Sequence, residues 1–524
     1  MIILGIHGGF NVHQHDPSAA LIIDGKLHTV IEEERLLRVK GCNGILPIES
    51  VRTCLNNAKI NLKDVDYIVL DGETHQDIKE RTKDWLKHHF GFCPKIKVVN
   101  HQLAHLSSAY FQSGFENALC ISYDAWGDRL SGAVAVGNKD SLNILSKIPG
   151  DNSLGVFYST MTSFLGFKPN DDEYKVMGLA PYGKSNFDLS FFLKSTNEGF
   201  FCDNSYFRKR ISGTEYEQFY SQKLIKKLGV PRKKNDPFSK KYLDIAASTQ
   251  KCLEEVAISF IKKMYEKTKQ QNLCLAGGVA LNCSLNGKIA KLPFIKNIFI
   301  QPAASDRGLA LGSALCLANK LGDKIEKINN VFYGPKINKD SIKKSLDLVG
   351  INYKKLNYPS ETAANLITDN KVIGWHQDRS EFGPRALGNR TILANPANKN
   401  MKNIVNKKIK FREEFRPFAP SVLEEKYNEI FDLDNASPFM TIACNVNSNW
   451  KKKIPSTTHI NGTARVQTVD KKFNKKYYDL IKNFQKNTNI PVVLNTSFNI
   501  KGQPIVEKPL EAISTFAGTG LDCL

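Results

Sequence analysis

Several features that mark other classes of protein are missing from this 524-residue sequence. The eleven cysteines include no CxxC pair and no regular ladder of spacings, which argues against a zinc ribbon or a disulfide framework. No stretch approaches the ~18 consecutive apolar residues of a membrane span. The amino terminus, MIILGIHGGF, lacks the charged region and the long apolar core of a signal peptide. We therefore expect a soluble, cytoplasmic protein with reduced thiols and no membrane partner.

The residues that are present are typical of a globular protein with more than one domain. Hydrophobic residues make up 41% and aromatic residues 10% of the chain, and 524 residues are too many for a single core. The net charge of +21 comes from 73 Lys and Arg against 52 Asp and Glu, and it is spread along the chain. Such a charge attracts phosphorylated metabolites or polyanions, but it does not by itself indicate nucleic-acid binding.

Two histidines four residues apart mark the segment NHQLAHLSSAY at residues 100–110. In a helix, this spacing places His101 and His105 on one face, one turn apart, so that both imidazoles can reach one point. Two such nitrogens suit Fe(II), Zn or Mn, provided that a carboxylate from elsewhere joins them. The alternative, a helix that only carries two polar histidines, stays open on the spacing alone because short motifs recur by chance.

A repeated hairpin pattern predicts two related halves. The predicted strands at residues 19–23 and 27–33 are joined by Asp24-Gly25, a pair that favours a tight turn because glycine accepts positive φ. The apolar strand at residues 118–123 also runs into a Gly-containing turn and a further strand. Each half is therefore expected to contain a hairpin sheet.

Polar side chains follow several of these predicted strands, where an α/β core places its sites. Asp124 and Asp306 each lie beyond the end of a strand and are candidates for the missing carboxylate. The Gly-rich loop HGGFNVHQHDPS contains His15, and its backbone could hold a phosphate or a reacting group. Another strand runs into Gly277-Gly278, which would let a nucleotide approach the backbone closely.

Basic residues in the second half lie among Gly, Pro and aromatic residues rather than on a polar helix. Arginine gives bidentate contacts to phosphate, so these residues could neutralise the charge of a phosphorylated substrate. They form two clusters: Arg379, Arg385 and Arg390 in a Gly-punctuated loop, and Lys410, Arg412 and Arg416 further along. Asn495 and Ser497 follow a β-rich run and offer an amide and a hydroxyl for phosphate or ribose.

Ordered blocks along nearly the whole chain resemble the NodU/CmcH-type O-carbamoyltransferase family, whose members carbamoylate hydroxyls of sugars and other secondary metabolites. The blocks in the first half are HDPSAAL, EEERLLRVK, HLSSAY, YKVMGLAPYG and LAGGVALNCSLNGKI. Those in the second half are SEFGPRALGNRTILANP, IKFREEFRPFAPSVL, NGTARVQTV and VLNTSFNIKGQPIVEKP. Blocks of this length in this order make the resemblance specific.

The resemblance implies an α/β protein of two domains. Residues 1–335 would form a duplicated, RNase H-like domain of the actin-like ATPase type, similar to the tRNA threonylcarbamoyl transferase, with a lid-like insertion at about 190–240. Residues 336–524 would form an α/β YrdC-like domain that makes carbamoyl-adenylate from carbamoyl phosphate and ATP with Mg. The first domain would transfer the carbamoyl group to a small hydroxylated acceptor. A homodimer is compatible with the resemblance.

The resemblance also implies which residues form the two sites. The implied ligands for Fe(II), or another divalent metal such as Zn or Mn, are His101, His105, Asp124 and Asp306, the four indicated by spacing and position. The residues expected to be catalytic are His15, Lys40, Arg379, Arg385 and Arg416, with His15 as general base or as the group that positions the carbamoyl. The residues expected to bind nucleotide or phosphate are Gly277, Gly278, Asn282, Arg390, Lys410, Arg412, Arg465, Asn495 and Ser497.

Two alternative functions stay open. A tRNA threonylcarbamoyl transferase-like enzyme would use the positive charge, but such systems usually divide the two domains between separate chains. The sequence contains no recognisable RNA-binding module, so we do not expect a nucleic-acid partner. A non-catalytic nucleotide-binding protein could be built on the same fold. The presence of all four predicted ligands and both basic clusters argues against that reading.

Overall fold

Five-stranded sheets form the framework of the computed structural model, which describes residues 1–10, 14–208 and 218–524. The chain divides into two units. The first unit contains Met1–Asp71, Gln76–Val99 and Asp306–Leu524, and the second contains Gly72–His75 and Asn100–Ser305. Part of the His15 loop, residues 11–13, and part of the predicted lid, residues 209–217, lie outside the described residues.

The strands and helices are numbered in chain order. The strands are β1 Ile2–His7, β2 Ser18–Ile23, β3 Lys26–Glu32, β4 Tyr67–Asp71, β5 Lys95–Val99, β6 Asn117–Gly127, β7 Leu130–Asn138, β8 Ser141–Pro149, β9 Leu193–Ser195, β10 Phe200–Cys202, β11 Asn272–Ala276, β12 Asn297–Ile300, β13 Ile373–His376, β14 Arg390–Ala394, β15 Ala419–Leu423, β16 Ala443–Asn445, β17 Thr463–Arg465, β18 Gln467–Val469 and β19 Val492–Ser497. The helices are α1 Glu33–Leu37, α2 Ile48–Ala58, α3 Ile78–Phe90, α4 His101–Ser113, α5 Leu154–Phe164, α6 Glu173–Leu179, α7 Gln222–Leu228, α8 Lys240–Thr268, α9 Cys283–Ala290, α10 Leu309–Lys320, α11 Lys339–Val349, α12 Pro359–Thr368, α13 Met401–Val405, α14 Tyr427–Ile430, α15 Ser448–Lys451, α16 Lys475–Thr488 and α17 Pro509–Ala517.

The amino-terminal sheet of the first unit has the strand order β3-β2-β1-β4-β5. The first three strands pair antiparallel, whereas β1, β4 and β5 pair in parallel. Helix α10 packs closely on β1 because Gly5 has no side chain, and a Cβ at that position would overlap the carbonyl oxygen of Ala310. The apolar side chains Leu4 and Ile6 of β1 are fully buried, so this strand anchors the core.

The sheet of the second unit repeats this topology. Its order is β12-β11-β6-β7-β8, with an antiparallel β6-β7-β8 meander and parallel pairs β6-β11 and β11-β12. Strand for strand, β6, β7, β8, β11 and β12 correspond to β1, β2, β3, β4 and β5. The predicted α/β class and the predicted duplication of a hairpin sheet are confirmed.

The end of β6 differs from the sequence prediction. We expected the strand to stop at Tyr123, with Asp124 in the following turn. The strand instead continues to Gly127, and its pairing with β7 is irregular between Tyr123 and Gly127. Asp124 is therefore held by strand backbone rather than by a loop.

The carboxy-terminal part of the first unit contains a mixed sheet of order β13-β14-β19-β15-β18. Helix α16 buries Tyr477, Leu480 and Phe484 against this sheet, and α12 packs beside α16. Thr391 of β14 pairs with Ser497 of β19, so the start of β14 lies beside the end of β19. The sheet thus brings together two segments that the sequence analysis selected separately.

Two further expectations concern membranes and thiols. Within the described residues, no helix combines the length and the apolar character needed to cross a membrane. All eleven cysteines are thiols.

We expect His376→Gln to flatten the pH dependence of stability. Nε2 of His376 lies 3.0 Å from the Glu507 carbonyl oxygen, and burial together with the nearby Arg390 charge lowers the pKa of His376 to about 3. Its stabilising contribution is complete above the unfolded-state pKa of about 6.5 and is lost as the pH falls towards 3. Between pH 7 and pH 4, the wild type should lose on the order of 2 kcal/mol more unfolding free energy than the variant.

Urea unfolding at a series of pH values measures this difference. His75→Gln, at an exposed position, serves as the control and should unfold with the pH dependence of the wild type. Identical slopes for the wild type and His376→Gln would show that the imidazole makes no such contribution.

Candidate functional site

The amino terminus of α4 fixes the orientation of the histidine pair. Asn100 caps the helix, because its side chain accepts hydrogen bonds from the backbone N–H groups of Gln102 and Leu103. The backbone N–H of His101 donates to Asp128 over 2.7 Å. His101 is therefore held at the first position of the helix, and His105 follows one turn later on the same face.

Both imidazoles converge on Asp124. The distance from Nε2 of His101 to Oδ2 of Asp124 is 3.1 Å, and the distance from Nε2 of His105 to the same oxygen is 3.6 Å. The two ring centroids lie 4.8 Å apart, and all three residues are buried. Three of the four predicted ligands thus come together within the second unit.

The Asp124 carboxylate is ionised although it is buried. Burial alone would raise its pKa, but the hydrogen bond from His101 and the nearby His105 imidazole hold the pKa well below its usual range. The backbone N–H of Gly278 adds a longer contact of 3.3 Å to Oδ1. A buried carboxylate beside two imidazole nitrogens is a donor set that suits a divalent transition metal.

Two glycines make room for this group. A Cβ on Gly127 would overlap the imidazole ring of His101. A Cβ on Gly277 would overlap the backbone of Tyr123, and the φ of +86° at Gly277 is one that glycine adopts without strain. Gly277 and Gly278 therefore have a clear role in shaping the end of β6, whereas their contact with a nucleotide stays a prediction.

Asn282 is engaged by the protein. Its side chain caps α9 by accepting from the N–H of Leu285, and it exchanges two hydrogen bonds of 3.0 Å with the amide of Gln250. The predicted role of Asn282 in nucleotide binding is untested.

Asp306 begins a short 3-10 turn that leads into α10. In the first unit, its Oδ2 lies 3.8 Å from Nε2 of His7 and 3.8 Å from Nε2 of His15. Nδ1 of His7 lies 2.6 Å from the carboxylate of Asp71, at the ends of the neighbouring strands β1 and β4. Asp306 as the fourth metal ligand stays a prediction.

His7 is a residue that the sequence analysis did not select. It is almost fully buried, as is Asp71. Its signal in the sequence is a histidine at the end of the first core strand, directly before two glycines. Only the parallel pairing of β1 with β4 shows which carboxylate it meets.

The predicted catalytic histidine, His15, lies on a loop held by charge. Nδ1 of His15 is 3.3 Å from Asp16, and the Arg307 guanidinium is 2.8 Å from the other carboxylate oxygen of Asp16. Burial would raise the pKa of Asp16, but Arg307 and His15 hold it below its usual range. Lys40 is exposed, and the N–H of the following Gly41 donates to Glu34 over 2.8 Å.

Arg390 is occupied by protein acceptors. It is fully buried, and Nε and Nη2 contact the carbonyl oxygen and the carboxylate of Glu507. The remaining donors reach the carbonyl oxygens of Gln377, Asp378 and Asn389. This geometry favours a role in holding the loop before β14, and the predicted phosphate contact is untested.

Arg379 has a similar setting. Its Nε donates to the carbonyl oxygen of Gly334, and its Nη2 donates to the carbonyl oxygens of His28 and Tyr333. It therefore fastens the carboxy-terminal loop to the amino-terminal sheet, and its predicted catalytic role is likewise untested.

Lys410 is the centre of the basic cluster. It ends a π-helical turn, Asn406–Lys410, and its Nζ contacts the hydroxyl and carbonyl oxygens of Ser497 and the Asn499 side chain. Burial, followed by the nearby charges of Arg412 and Arg416, lowers its pKa well below the usual range. The structure thus brings together Lys410, Arg412, Arg416 and Ser497. Asn499 was missed, because it lies past the end of the predicted strand.

The remaining carboxy-terminal candidates differ in exposure. Asn495 is buried and donates to the carbonyl oxygen of Ala386 and to Ser421 and Gln467, so its amide is used to hold the loop that contains Arg385. Arg385 and Arg465 are only partly buried. Their predicted contacts with substrate stay predictions.

Comparison with known proteins gives the family. The model for "Carbamoyltransferase N-terminus" matches residues 3–90 and 83–315, and the model for "Carbamoyltransferase C-terminus" matches residues 364–524. Nodulation protein NolNO of Sinorhizobium fredii is 38% identical, with a match that covers 100% of this chain and 81% of the relative. Nodulation protein NolO of Bradyrhizobium diazoefficiens is 39% identical over 81% of this chain and 77% of its own length.

Among solved structures, T. kodakarensis HypF matches 62% of this chain and 48% of its own, with 14% identity and a TM-score of 0.37. The family matches confirm the resemblance found in the sequence. The chain belongs to the carbamoyltransferase family and is a carbamoyltransferase.

Proposed function

We propose that the protein is a two-step, ATP-dependent O-carbamoyltransferase. Its carboxy-terminal region would form carbamoyl-adenylate from carbamoyl phosphate and ATP, with Mg, and the carbamoyl group would pass to a hydroxyl of a sugar or another small acceptor. The observation that carries the proposal is the basic cluster beside Ser497, in which Lys410 is buried and Arg412 and Arg416 are partly buried. Such a cluster suits the binding of a substrate with several phosphate charges.

The proposed reaction balances with one water. Carbamoyl phosphate and water yield carbamate and phosphate. A carbamate oxygen then forms a bond to the α-phosphorus of ATP, and pyrophosphate leaves. The acceptor oxygen finally forms a bond to the carbamoyl carbon, its proton is lost to a base, and AMP leaves.

The basic cluster fits the first two of these steps. Burial disfavours the charged form of Lys410. A bound anion would stabilise that charged form, because it would place a negative charge beside the ammonium group. Arg412 is oriented by Asn406 and stacks over Phe418, so its guanidinium plane is fixed before the substrate binds. Ser497 and Asn499 hold Lys410 in place.

The second step is proposed to use the histidine pair. His101, His105 and Asp124 would hold a divalent ion, with Asp306 as the proposed fourth ligand, and this N/O set fits Fe(II), Zn or Mn. Once bound, the ion would supply positive charge that offsets the charge of the adenylate phosphate. His15, whose Nδ1 faces Asp16, is the proposed base for the acceptor hydroxyl.

Replacement of residues in the two regions should separate the two steps. We expect Lys410→Met to lower pyrophosphate release from ATP and carbamoyl phosphate by about 100-fold, because a positive charge at the phosphate site is lost. We expect His101→Ala to keep the first turnover of pyrophosphate release and to lose transfer of radiolabelled carbamoyl. The acceptors for this assay are glucose, mannose, N-acetylglucosamine and glycerol, together with bulk tRNA.

Lys407→Met is the matched control, because Lys407 lies in the same π-helical turn but is exposed. It should release pyrophosphate at the rate of the wild type within about twofold. Radiolabel that appears in tRNA rather than in a small acceptor would support the alternative of a tRNA threonylcarbamoyl transferase-like enzyme. A wild type that releases neither pyrophosphate nor phosphate would support the non-catalytic reading.

The metal proposal has its own test in Gly127→Ala. The added methyl group would overlap His101, so we expect about tenfold weaker binding of Mn(II) or Zn(II), in the range seen when the support of a metal ligand is lost. Equilibrium dialysis followed by elemental analysis measures the bound ion. The wild type should bind one ion per chain more tightly than His101→Ala does.

Gly518→Ala is the control for Gly127→Ala. Gly518 also has a negative φ, and the nearest atom to its added Cβ is the carbonyl oxygen of Ser514 at 3.3 Å. This variant should bind metal as the wild type does. Equal affinity in both glycine variants would refute the placement of the ion at His101.

A further inference from the structure

Most residues of the short helix α1 are charged and buried. It has five residues, yet Glu33, Glu34 and Arg35 are buried, as is Glu32, which precedes them. Burying ionised groups costs free energy that partners must offset, and apolar residues would fill the same space more cheaply. The partners of these charges therefore show what the helix holds.

Glu32 and Arg35 both form hydrogen bonds with Gly383, in the carboxy-terminal part of the first unit. A carboxylate oxygen of Glu32 accepts from the N–H of Gly383 over 2.7 Å, and Nη2 of Arg35 donates to the carbonyl oxygen of the same residue over 2.7 Å. Glu32 and Arg35 also pair with each other at 3.2 Å. The partners lie 348 residues apart in the chain, so this is a tertiary contact.

Gly383 lies in a turn that leads to Arg385, a predicted catalytic residue. Gly383 has a φ of +100°, and Arg385 follows two residues later. Behind this turn, the Glu381 carboxylate accepts from the N–H groups of Leu387, Asn389 and Arg390. The loop is thus closed on itself by Glu381 and is fastened to the amino-terminal sheet by Glu32 and Arg35.

A second arginine extends the same contact. Arg38, directly after α1, donates to the carbonyl oxygens of Pro504 and Ile505 over 2.8 and 2.6 Å. These residues follow the segment of Ser497 and Asn499 that holds Lys410. The α1 region therefore contacts both carboxy-terminal loops that flank the proposed adenylate-forming cluster.

Glu34 connects α1 with the predicted catalytic residues of the amino-terminal half. Its carboxylate accepts from the N–H of Gly41, next to Lys40, and lies 3.3 Å from the guanidinium of Arg307. Arg307 follows Asp306 in the chain and pairs with Asp16, beside His15. The α1 region is thus bonded to the carboxy-terminal loops and to Gly41 and Arg307, which adjoin Lys40 and Asp306, and Arg307 in turn reaches Asp16 beside His15.

We propose that Glu32 and Arg35 are positioning residues that couple the two half-reactions, by fixing the Gly383–Arg385 turn to the segment that holds Lys40 and Arg307. The inference rests on the proposed function. A turn whose Gly383 N–H and carbonyl oxygen are both bound cannot shift without breaking the buried hydrogen bonds to Glu32 and Arg35. Displacements of about 1 Å at a reacting centre cost on the order of 100-fold, so a loosened turn would let the adenylate escape before transfer.

The test uses the full chain with ATP, Mg and carbamoyl phosphate and without acceptor. A coupled enzyme makes one adenylate per chain, so pyrophosphate appears as a burst followed by a slow steady rate. In Glu32→Gln, the amide can still accept from Gly383 but no longer pairs with Arg35 as an ion. In Arg35→Lys, the charge remains but the fork of donors is lost. We expect the steady rate to rise about tenfold relative to the burst in both variants.

Glu49→Gln and Arg52→Lys are the matched controls, because this pair has the same residue types at the same spacing of three but is exposed. Both should show the wild-type ratio of the steady rate of pyrophosphate release to the burst. Thermal unfolding is recorded for every variant, since a purely structural role would lower the melting temperature and leave the ratio unchanged.

The outcomes separate the two hypotheses. A wild type that releases no pyrophosphate contradicts the proposed function, whereas one that releases pyrophosphate without a burst overturns the coupling. If the wild type shows a burst and Glu32→Gln and Arg35→Lys have the same ratio of steady rate to burst as the wild type, the coupling role is wrong. A smaller burst in these variants at an unchanged ratio also contradicts it. If Arg35→Lys fails to fold, Glu32→Gln, which preserves side-chain size, decides alone.

Discussion

A buried carboxylate must be matched by donors, and this constraint governs most of the arrangement around the candidate sites. Asp124 is matched by two imidazoles and by the N–H of Gly278. Glu381 collects three backbone N–H groups. Because an unmatched ionised group would cost several kcal/mol, each carboxylate fixes the backbone that supplies its donors. The loops with predicted catalytic residues are therefore held by charged groups as well as by apolar packing.

The features that were predictable from the sequence depend on local spacing. His101 and His105 share a face because a helix repeats every 3.6 residues, and the Asn100 cap that starts this helix precedes them directly. The hairpin at Asp24-Gly25 follows from the φ values that these residues accept. Such signals lie within a few residues of the feature that they specify, so no tertiary information is needed.

The partners of the arginines were not predictable in this way. A loop with Arg379 and Arg390 has the composition of a phosphate site, and nothing local distinguishes an arginine that faces a ligand from one that faces carbonyl oxygens. Arg390 meets Glu507, 117 residues away, and Arg379 meets His28, 351 residues away. Residue type indicates what a side chain can bind, whereas the direction it takes depends on how distant segments pack.

The duplicated topology shows why fold and function separate. Strands β1 and β6 occupy equivalent places in the two sheets. At the end of β1, His7 meets Asp71 from the parallel neighbour β4. At the end of β6, the neighbour β11 runs into Gly277 instead, and the partners of Asp124 come from α4. Two equivalent strand ends therefore carry different chemistry, because the neighbouring strand ends in a carboxylate in one sheet and is followed by a glycine in the other.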